Sequence, residues 1–388
     1  MRMRKATAAL VGFLLAGVAA TPAHADTIRS QQWHLDAMKA DEFWKISTGR
    51  GVTIAVIDSG VNRIPELEGQ VLPGKDFEPD SVEGDERIDV GSHGTTMAAV
   101  IAGSGKHPSG DGSFGLAPGV KILPIRVPHE TNRATPSWVA AIRYAADSDA
   151  KIINMSLAVD GTDDEDEPRR EAVKYALSKG KLIFAGTGNY GKSELFYPAA
   201  TPGVVGVGAV DANGERTKES QYGPQVDLVA PGIDIVTACA GKTGLCKSSG
   251  TSDASALASA SAALLWSVHP EWTNNQVLRV LLNTAGKPSE GFQRNDSVGY
   301  GAVRPKVALQ TPGDPGPADV YPLPDLAAAS PAGDKPASPD AANQSKPPAP
   351  QAAEEEKGGG SLLWVGLGLG ACVLIGGAVT AVVVRRNR

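Results

Sequence analysis

Between residues 52 and 207 the chain sets five short apolar runs among segments of helical periodicity, and this alternation leaves few architectures open. The runs 52–57 (VTIAVI), 121–127, 152–157, 181–185 and 204–207 are largely aliphatic and carry few charges. A strand with one wet face alternates apolar and polar side chains, so unbroken runs of this kind fit strands buried on both faces. Helical patterns lie at 94–102, 137–146, 169–178, 252–268 and 274–285. Strands alternating with helices predict an α/β fold in three layers, with a mainly parallel central sheet flanked by helices. No internal repeat is visible.

The two ends read differently from this body. Arg2, Arg4 and Lys5 precede an apolar run, 6–20, that closes on Ala23-His24-Ala25. A basic start, a short apolar stretch and a small-x-small site predict a signal peptide over 1–25, with the mature chain beginning near Asp26. Residues 362–384 form an uncharged apolar stretch of roughly 23 residues, long enough to cross a bilayer. We therefore expect a transmembrane helix over 361–384, with the basic tail 385–388 (Arg385, Arg386, Arg388) held in the cytoplasm and the body outside. Composition also changes after Gln310. From 311 to 360 the chain is rich in Pro, Ala, Asp and Glu, and large apolar residues are few beyond Val320, Tyr321, Leu323 and Leu326. Such a stretch is expected to stay disordered, a linker reaching on the order of 150 Å if extended, which suits a tether through a cell wall. Residues 26–48 and 49–310 remain, as a short extension and one large folded domain.

A net charge of −6 argues against a nucleic-acid partner, which needs a basic face. Of the three cysteines, Cys372 falls in the apolar C-terminal stretch, whereas Cys239 and Cys246 lie in the exported body. An oxidising compartment predicts a Cys239–Cys246 disulfide just upstream of Ser252. Two cysteines without a histidine at ligand spacing do not make a structural zinc site.

Three polar residues stand where chemistry is expected in a parallel sheet, at strand ends and helix starts. Asp58 follows VTIAVI and precedes Ser59-Gly60; His93 lies in Gly91-Ser92-His93-Gly94-Thr95; Ser252 lies in Gly250-Thr251-Ser252-Asp253, opening an Ala- and Ser-rich helix. Taken singly each has an ordinary structural explanation. Together they meet a chemical requirement, because a serine hydroxyl is a poor nucleophile at neutral pH without a base. The imidazole base in turn needs a carboxylate to fix its tautomer and stabilise its cation. A serine at a helix start also has backbone N–H groups near it to receive an oxyanion.

The blocks Val56-Ile57-Asp58-Ser59-Gly60, His93-Gly94-Thr95 and Gly250-Thr251-Ser252 resemble the three signature segments of subtilisin-like serine proteases. The resemblance covers about 49 to 308, and implies a subtilisin-like fold, an endopeptidase acting on polypeptides, and no cofactor. It implies Asp58, His93 and Ser252 as the triad, and Asn189, in Gly186-Thr187-Gly188-Asn189, as an oxyanion donor. It also implies that Ser156, Leu157 and Gly188 contact substrate. The opening around Trp33 and Trp44, the Pro-rich linker and the apolar C-terminal stretch are similar to the mycosins, proteases of actinobacterial type VII secretion. That narrower likeness implies a short extension wrapping the domain, with Trp33 and Trp44 as packing anchors, and a secretion complex in the membrane as partner.

This sequence departs from the family in places. Asp253 replaces a more usual apolar residue beside Ser252; a carboxylate there either raises the imidazole pKa or points into solvent. Ala256 takes the place of a usual proline, and Ala158 stands where many relatives have glycine. His107, His129 and His269 are isolated. The acidic run 160–167, like Asp76, Asp80 and Asp85, reads as solvated loop, since its spacing fits no known calcium loop. No metal ligand is expected.

Overall fold

The protein is described from a computed structural model covering residues 27–79, 81–128, 136–161, 167–241, 243–288 and 293–328. The expected signal peptide, transmembrane segment and tail lie outside the described residues. Among the described residues no helix is long and apolar enough to cross a membrane.

Three short helices open the domain: α1 (Ile28–Gln31), α2 (Trp33–Met38) and α3 (Ala40–Phe43). The sheet strands are β1 (Thr53–Asp58), β2 (Lys75–Asp76), β3 (Lys121–Arg126) and β4 (Ile152–Met155), then β6 (Leu182–Gly186), β8 (Val205–Val210) and β9 (Leu228–Pro231). Between them lies a small pair, β5 (Val159–Asp160) and β7 (Phe196–Tyr197); after them comes a hairpin, β10 (Ile235–Ala238) and β11 (Leu245–Ser248). The longer helices are α4 (His93–Ala102), α5 (Pro136–Asp147), α6 (Glu167–Ser178), α7 (Thr251–Val268) and α8 (Asn274–Thr284), followed by the short α9 (Pro305–Gln310) and α10 (Pro324–Ala328).

The seven-stranded sheet has the order β2-β3-β1-β4-β6-β8-β9, and its pairings are parallel throughout. Along β1, Ile54 and Val56 enter one core while Ala55 and Ile57 enter the other; β6 does the same with Leu182 and Phe184 against Ile183 and Ala185. The strand period of two thus gives each face its own apolar set, which explains runs without polar alternation. Helices α4, α7 and α8 cover the first face and α5 and α6 the second. Helix α7 is buried nearly all round. Its Ala and Ser side chains let it run close under the strands, and its buried hydroxyls are satisfied, Ser259 by Asn154 Oδ1 and Ser261 by the Leu257 carbonyl.

The N-terminal extension is part of the same packing. Leu35 and Phe43 are fully buried in the larger core. Trp33 Nε1 donates to the Ile233 carbonyl at 3.0 Å and Trp44 Nε1 to the Leu116 carbonyl at 2.8 Å. Gln32 bonds both backbone groups of Phe114 and the Val236 carbonyl.

The expected linker starts too early. Rather than leaving the domain at Thr311, residues 311–328 lie against it. Arg279 donates to the carbonyls of Pro315, Pro317 and Val320, and Thr273 and Asn275 donate to that of Ala318. Asp325 accepts from Gly203 N–H at 2.7 Å, and Leu323 is buried. The composition lacked a continuous apolar stripe, but helix α8 supplies side-chain donors to the carbonyls of this Pro-rich segment, which has few N–H groups of its own. Residues 329–360 of the expected linker lie outside the described residues.

Candidate active site

The chain reverses its direction of winding beside β1, where β3 lies to one side and β4 to the other, and functional groups gather there at the carboxyl ends of the strands. Asp58 ends β1 and is fully buried. Its Oδ1 accepts from Ser59 N–H at 2.8 Å and from His93 Nδ1 at 2.8 Å. His93 is the first residue of α4, whose N-cap, Ser92, has a left-handed φ of 62°. The next position must be glycine, since a Cβ on Gly94 would meet the Gly60 carbonyl oxygen at 2.2 Å and Asp58 Cβ at 3.0 Å. Close approach of α4 to β1 is what lets the imidazole reach the carboxylate.

A second buried carboxylate, Asp89, braces this pair without any motif in the sequence to mark it. It accepts from Ser59 Oγ at 2.8 Å, from Thr95 N–H at 2.7 Å and from Thr95 Oγ1 at 2.6 Å. Ser59 Oγ accepts in turn from Gly94 N–H at 3.0 Å. Burial opposes the charged imidazole, but the adjacent Asp58 carboxylate outweighs it through charge and hydrogen bond. With Asp253 and Asp89 adding to the effect, the His93 pKa rises to about 9.

Ser252 lies in the first turn of α7. Its Oγ donates to the Ser156 carbonyl at 3.3 Å, so strand β4 and helix α7 meet at the hydroxyl. Gly250, the N-cap of α7 at φ 153°, brings the backbone against the Asn189 amide. Asn189 Oδ1 accepts from Thr251 N–H at 2.9 Å, which leaves Nδ2 as its donor group. His93, Ser252 and Asn189 line one open cavity of about 400 Å³, together with Ser156, Leu157, Ala158, Val159, Gly186, Thr251, Trp138 and Tyr190. Asp58 lies buried behind His93. A carboxylate, an imidazole and a hydroxyl therefore converge with amide donors at one cleft.

Not every expected contact residue faces that cleft. Gly188 is buried, its N–H donates to Thr251 Oγ1 at 3.0 Å, and its Cα faces Gln221 and Phe196. It shapes the loop, and Gly186 takes the lining position. The Ser156 hydroxyl is engaged by Asn154 Nδ2, the Ser252 carbonyl and Ser255 Oγ. Tyr190 was not anticipated: it stacks on Phe196 with centroids 5.2 Å apart and remains 67% exposed at the rim. Trp138 was read only as part of a helix.

Cys239 and Cys246 form a disulfide across the β10–β11 hairpin, with Cα atoms 6.0 Å apart. The hairpin reaches the site from the other side, where Ala240 N–H donates to Ser92 Oγ at 2.8 Å. Asp253 is wholly buried rather than pointing into solvent, and its Oδ2 accepts from Ser248 Oγ at 2.8 Å.

The remaining candidates stay apart from the cleft. His107 pairs with Ser109 Oγ, and His269 stacks on Trp272 just past the far end of α7. Asp76 pairs with Arg126 at 2.9 Å, and Asp85 Oδ1 accepts from Arg87 N–H. His129, Asp80 and 162–166 of the acidic run lie outside the described residues. Among the described residues, no group of three or more His, Cys, Asp or Glu side chains could hold a metal ion.

Several known proteins and solved structures are similar to this chain. A thermophilic serine proteinase of Bacillus sp. strain AK1 is 39% identical over 254 residues, which is 64% of this chain and 60% of that protein. The crystal structure of MycP1 from Mycobacterium smegmatis is 28% identical with a TM-score of 0.66, over 77% of this chain and 89% of that one. A structure of the periplasmic assembly from the ESX-5 inner membrane complex matches at 26% identity and TM-score 0.63, over 83% of this chain and 90% of the matched one. The model of the subtilase family, peptidase S8, matches residues 49–301, and with that the chain belongs to the subtilase family and has its α/β fold.

Proposed function

We propose that this chain is a membrane-anchored, extracytoplasmic serine endopeptidase that cleaves polypeptides exported by a type VII secretion system. The observation that carries the chemistry is the 2.8 Å bond from His93 Nδ1 to buried Asp58, in a cleft that also holds Ser252. The bond commits Nδ1 as a donor, so in the neutral imidazole Nε2 is the basic nitrogen. Ser252 Oγ leaves the Ser156 carbonyl, passes its proton to Nε2 and attacks the scissile carbonyl carbon. The carbonyl oxygen gains the negative charge and is held by Asn189 Nδ2 and the Ser252 N–H. His93 then returns the proton to the leaving amine, giving an acyl-enzyme, and a water repeats the sequence to release the acid. Asp58 keeps its charge throughout. Apolar lining from Leu157, Ala158, Val159 and Trp138 suits an extended peptide with small or apolar side chains on that side of the bond.

The expected signal peptide, the apolar stretch 361–384 and the likeness to mycosins support the location. The test of the chemistry is Ser252→Ala. Peptide cleavage should fall by about 10⁶-fold, the size of the loss for the subtilisin nucleophile, and fluorophosphonate labelling should vanish. Persistence of either would overturn the assignment. The likeness to the ESX-5 periplasmic assembly favours a second role, in which the folded body holds a secretion complex together irrespective of cleavage. Normal export and complex assembly with the Ser252→Ala protein would separate that role from proteolysis.

A further inference from the structure

Asp253 follows Ser252 directly, in the first turn of the 18-residue helix α7, and none of its surface reaches solvent. Ser248 Oγ, at the end of β11, donates to its Oδ2 at 2.8 Å, while Oδ1 has no hydrogen-bond partner among the described residues. An acid in a first helical turn is normally explained by the helix dipole, but such residues sit in water, where ionisation is cheap. A fully buried carboxyl with one unsatisfied oxygen is costly, and this one lies beside the nucleophile of the proposed reaction. Three carboxylates favour charged His93: Asp58 from β1, bonded at Nδ1; Asp89 from the loop before α4, which holds Ser59 against Gly94; and Asp253 from α7, one residue from Ser252, which lines the same cleft as His93. The charged group that acts on Asp253 is His93, from α4. The imidazole therefore has one carboxylate bonded at Nδ1, while Asp253 is tied to the hairpin whose Ala240 N–H bonds Ser92, the residue before His93.

We propose that Asp253 is a positioning residue that acts as a second counter-charge to His93, so that its ionisation sets the pH above which the imidazole is free to serve as base. The Ser248 bond, close to the disulfide-closed hairpin, fixes where that charge stands. Ionised Asp253 favours the imidazolium and delays release of the base to higher pH; neutral Asp253 withdraws that support. Burial pushes the Asp253 carboxyl up to about 6 against the opposing Ser248 bond, the His93 charge and its own backbone N–H, which puts its change of charge in the acid range.

This inference rests on the proposed triad but is tested independently of turnover. The full-length chain carrying ¹³C-labelled histidine is titrated by NMR, with the His93 resonance assigned by its absence from His93→Gln. In the wild-type chain the His93 curve should show a second, smaller inflection in the acid range where Asp253 titrates. In Asp253→Asn the main midpoint should fall by about half to one pH unit and the small inflection should vanish. Asp253→Ser, smaller and equally neutral, should do the same. The acid limb of kcat/KM should move with the midpoint, giving about three- to tenfold more activity below it. A single-phase wild-type curve overturns the inference, and so does an unmoved midpoint in either folded variant, whatever happens to thermal stability. Failure of the wild-type chain to cleave peptides at any pH would sink the proposed function instead, leaving the titration to judge Asp253.

Discussion

His93 is held among three carboxylates, and its pKa near 9 has two consequences of opposite sign. A folded-state pKa above the unfolded value of about 6.5 adds stability that is complete below pH 6.5 and is lost as pH rises to 9. Over the same interval the neutral base becomes available, so kcat/KM should climb between about pH 7 and 9; a plateau already reached at pH 6 would contradict the environment described for the imidazole. On the proposed mechanism, Asn189→Ala should leave KM nearly unchanged and lower kcat by about 10²–10³-fold, the size of the loss for the oxyanion asparagine of subtilisin; kinetics on one peptide would show it. At this scale the sequence was legible where a chemical requirement tied residues together. Asp58, His93, Ser252 and Asn189 each sit in a glycine-containing block that announces a turn. Asp89 and Tyr190 carry no such signature, since a buried brace and a stacked rim residue are defined only by what folds against them. Gly188 illustrates the same point: a glycine reveals that the backbone is constrained, not which neighbour constrains it.

The elements around the cleft owe their precision to close contacts that can be disturbed singly. Gly94→Ala would force α4 away from β1 and stretch the Asp58–His93 bond, and a displacement of about 1 Å can cost 10²-fold in rate, measurable as kcat/KM in a protein that remains folded. Cys239→Ser removes a cross-link spanning a sequence separation of 7 residues. Loop-closure entropy for so short a span predicts a loss of about 2.5 kcal/mol, checked by denaturant unfolding. The sheet strands 52–57, 121–127, 152–157, 181–185 and 204–207 were readable because burial on both faces leaves an unbroken apolar run. Strand β9 was missed since Leu228–Pro231 is short and ends in proline. The β10–β11 hairpin and the three opening helices were missed because their stability comes from tertiary contacts, such as the Gln32 amide, more than from local periodicity.

For the whole molecule, the boundary of the folded body is the main revision. Residues 311–328 bury Leu323 and occupy the Arg279 guanidinium, so a chain truncated after Gln310 should melt several degrees below one truncated after Ala328. Equal melting temperatures would show that this segment contributes nothing. Composition alone could not place the boundary, since a Pro-rich stretch looks the same whether it floats or is gripped by a neighbouring helix.

The path of that gripped segment has a geometric outcome. Its contacts with Gly203 just before β8, and with helix α8, whose Asn274 reaches the Lys181 carbonyl just before β6, lie at the amino ends of the strands. Ser252 and His93 open at their carboxyl ends. The gripped segment thus packs at the end of the sheet opposite the cleft and leaves the rim around Ser252 and His93 uncovered.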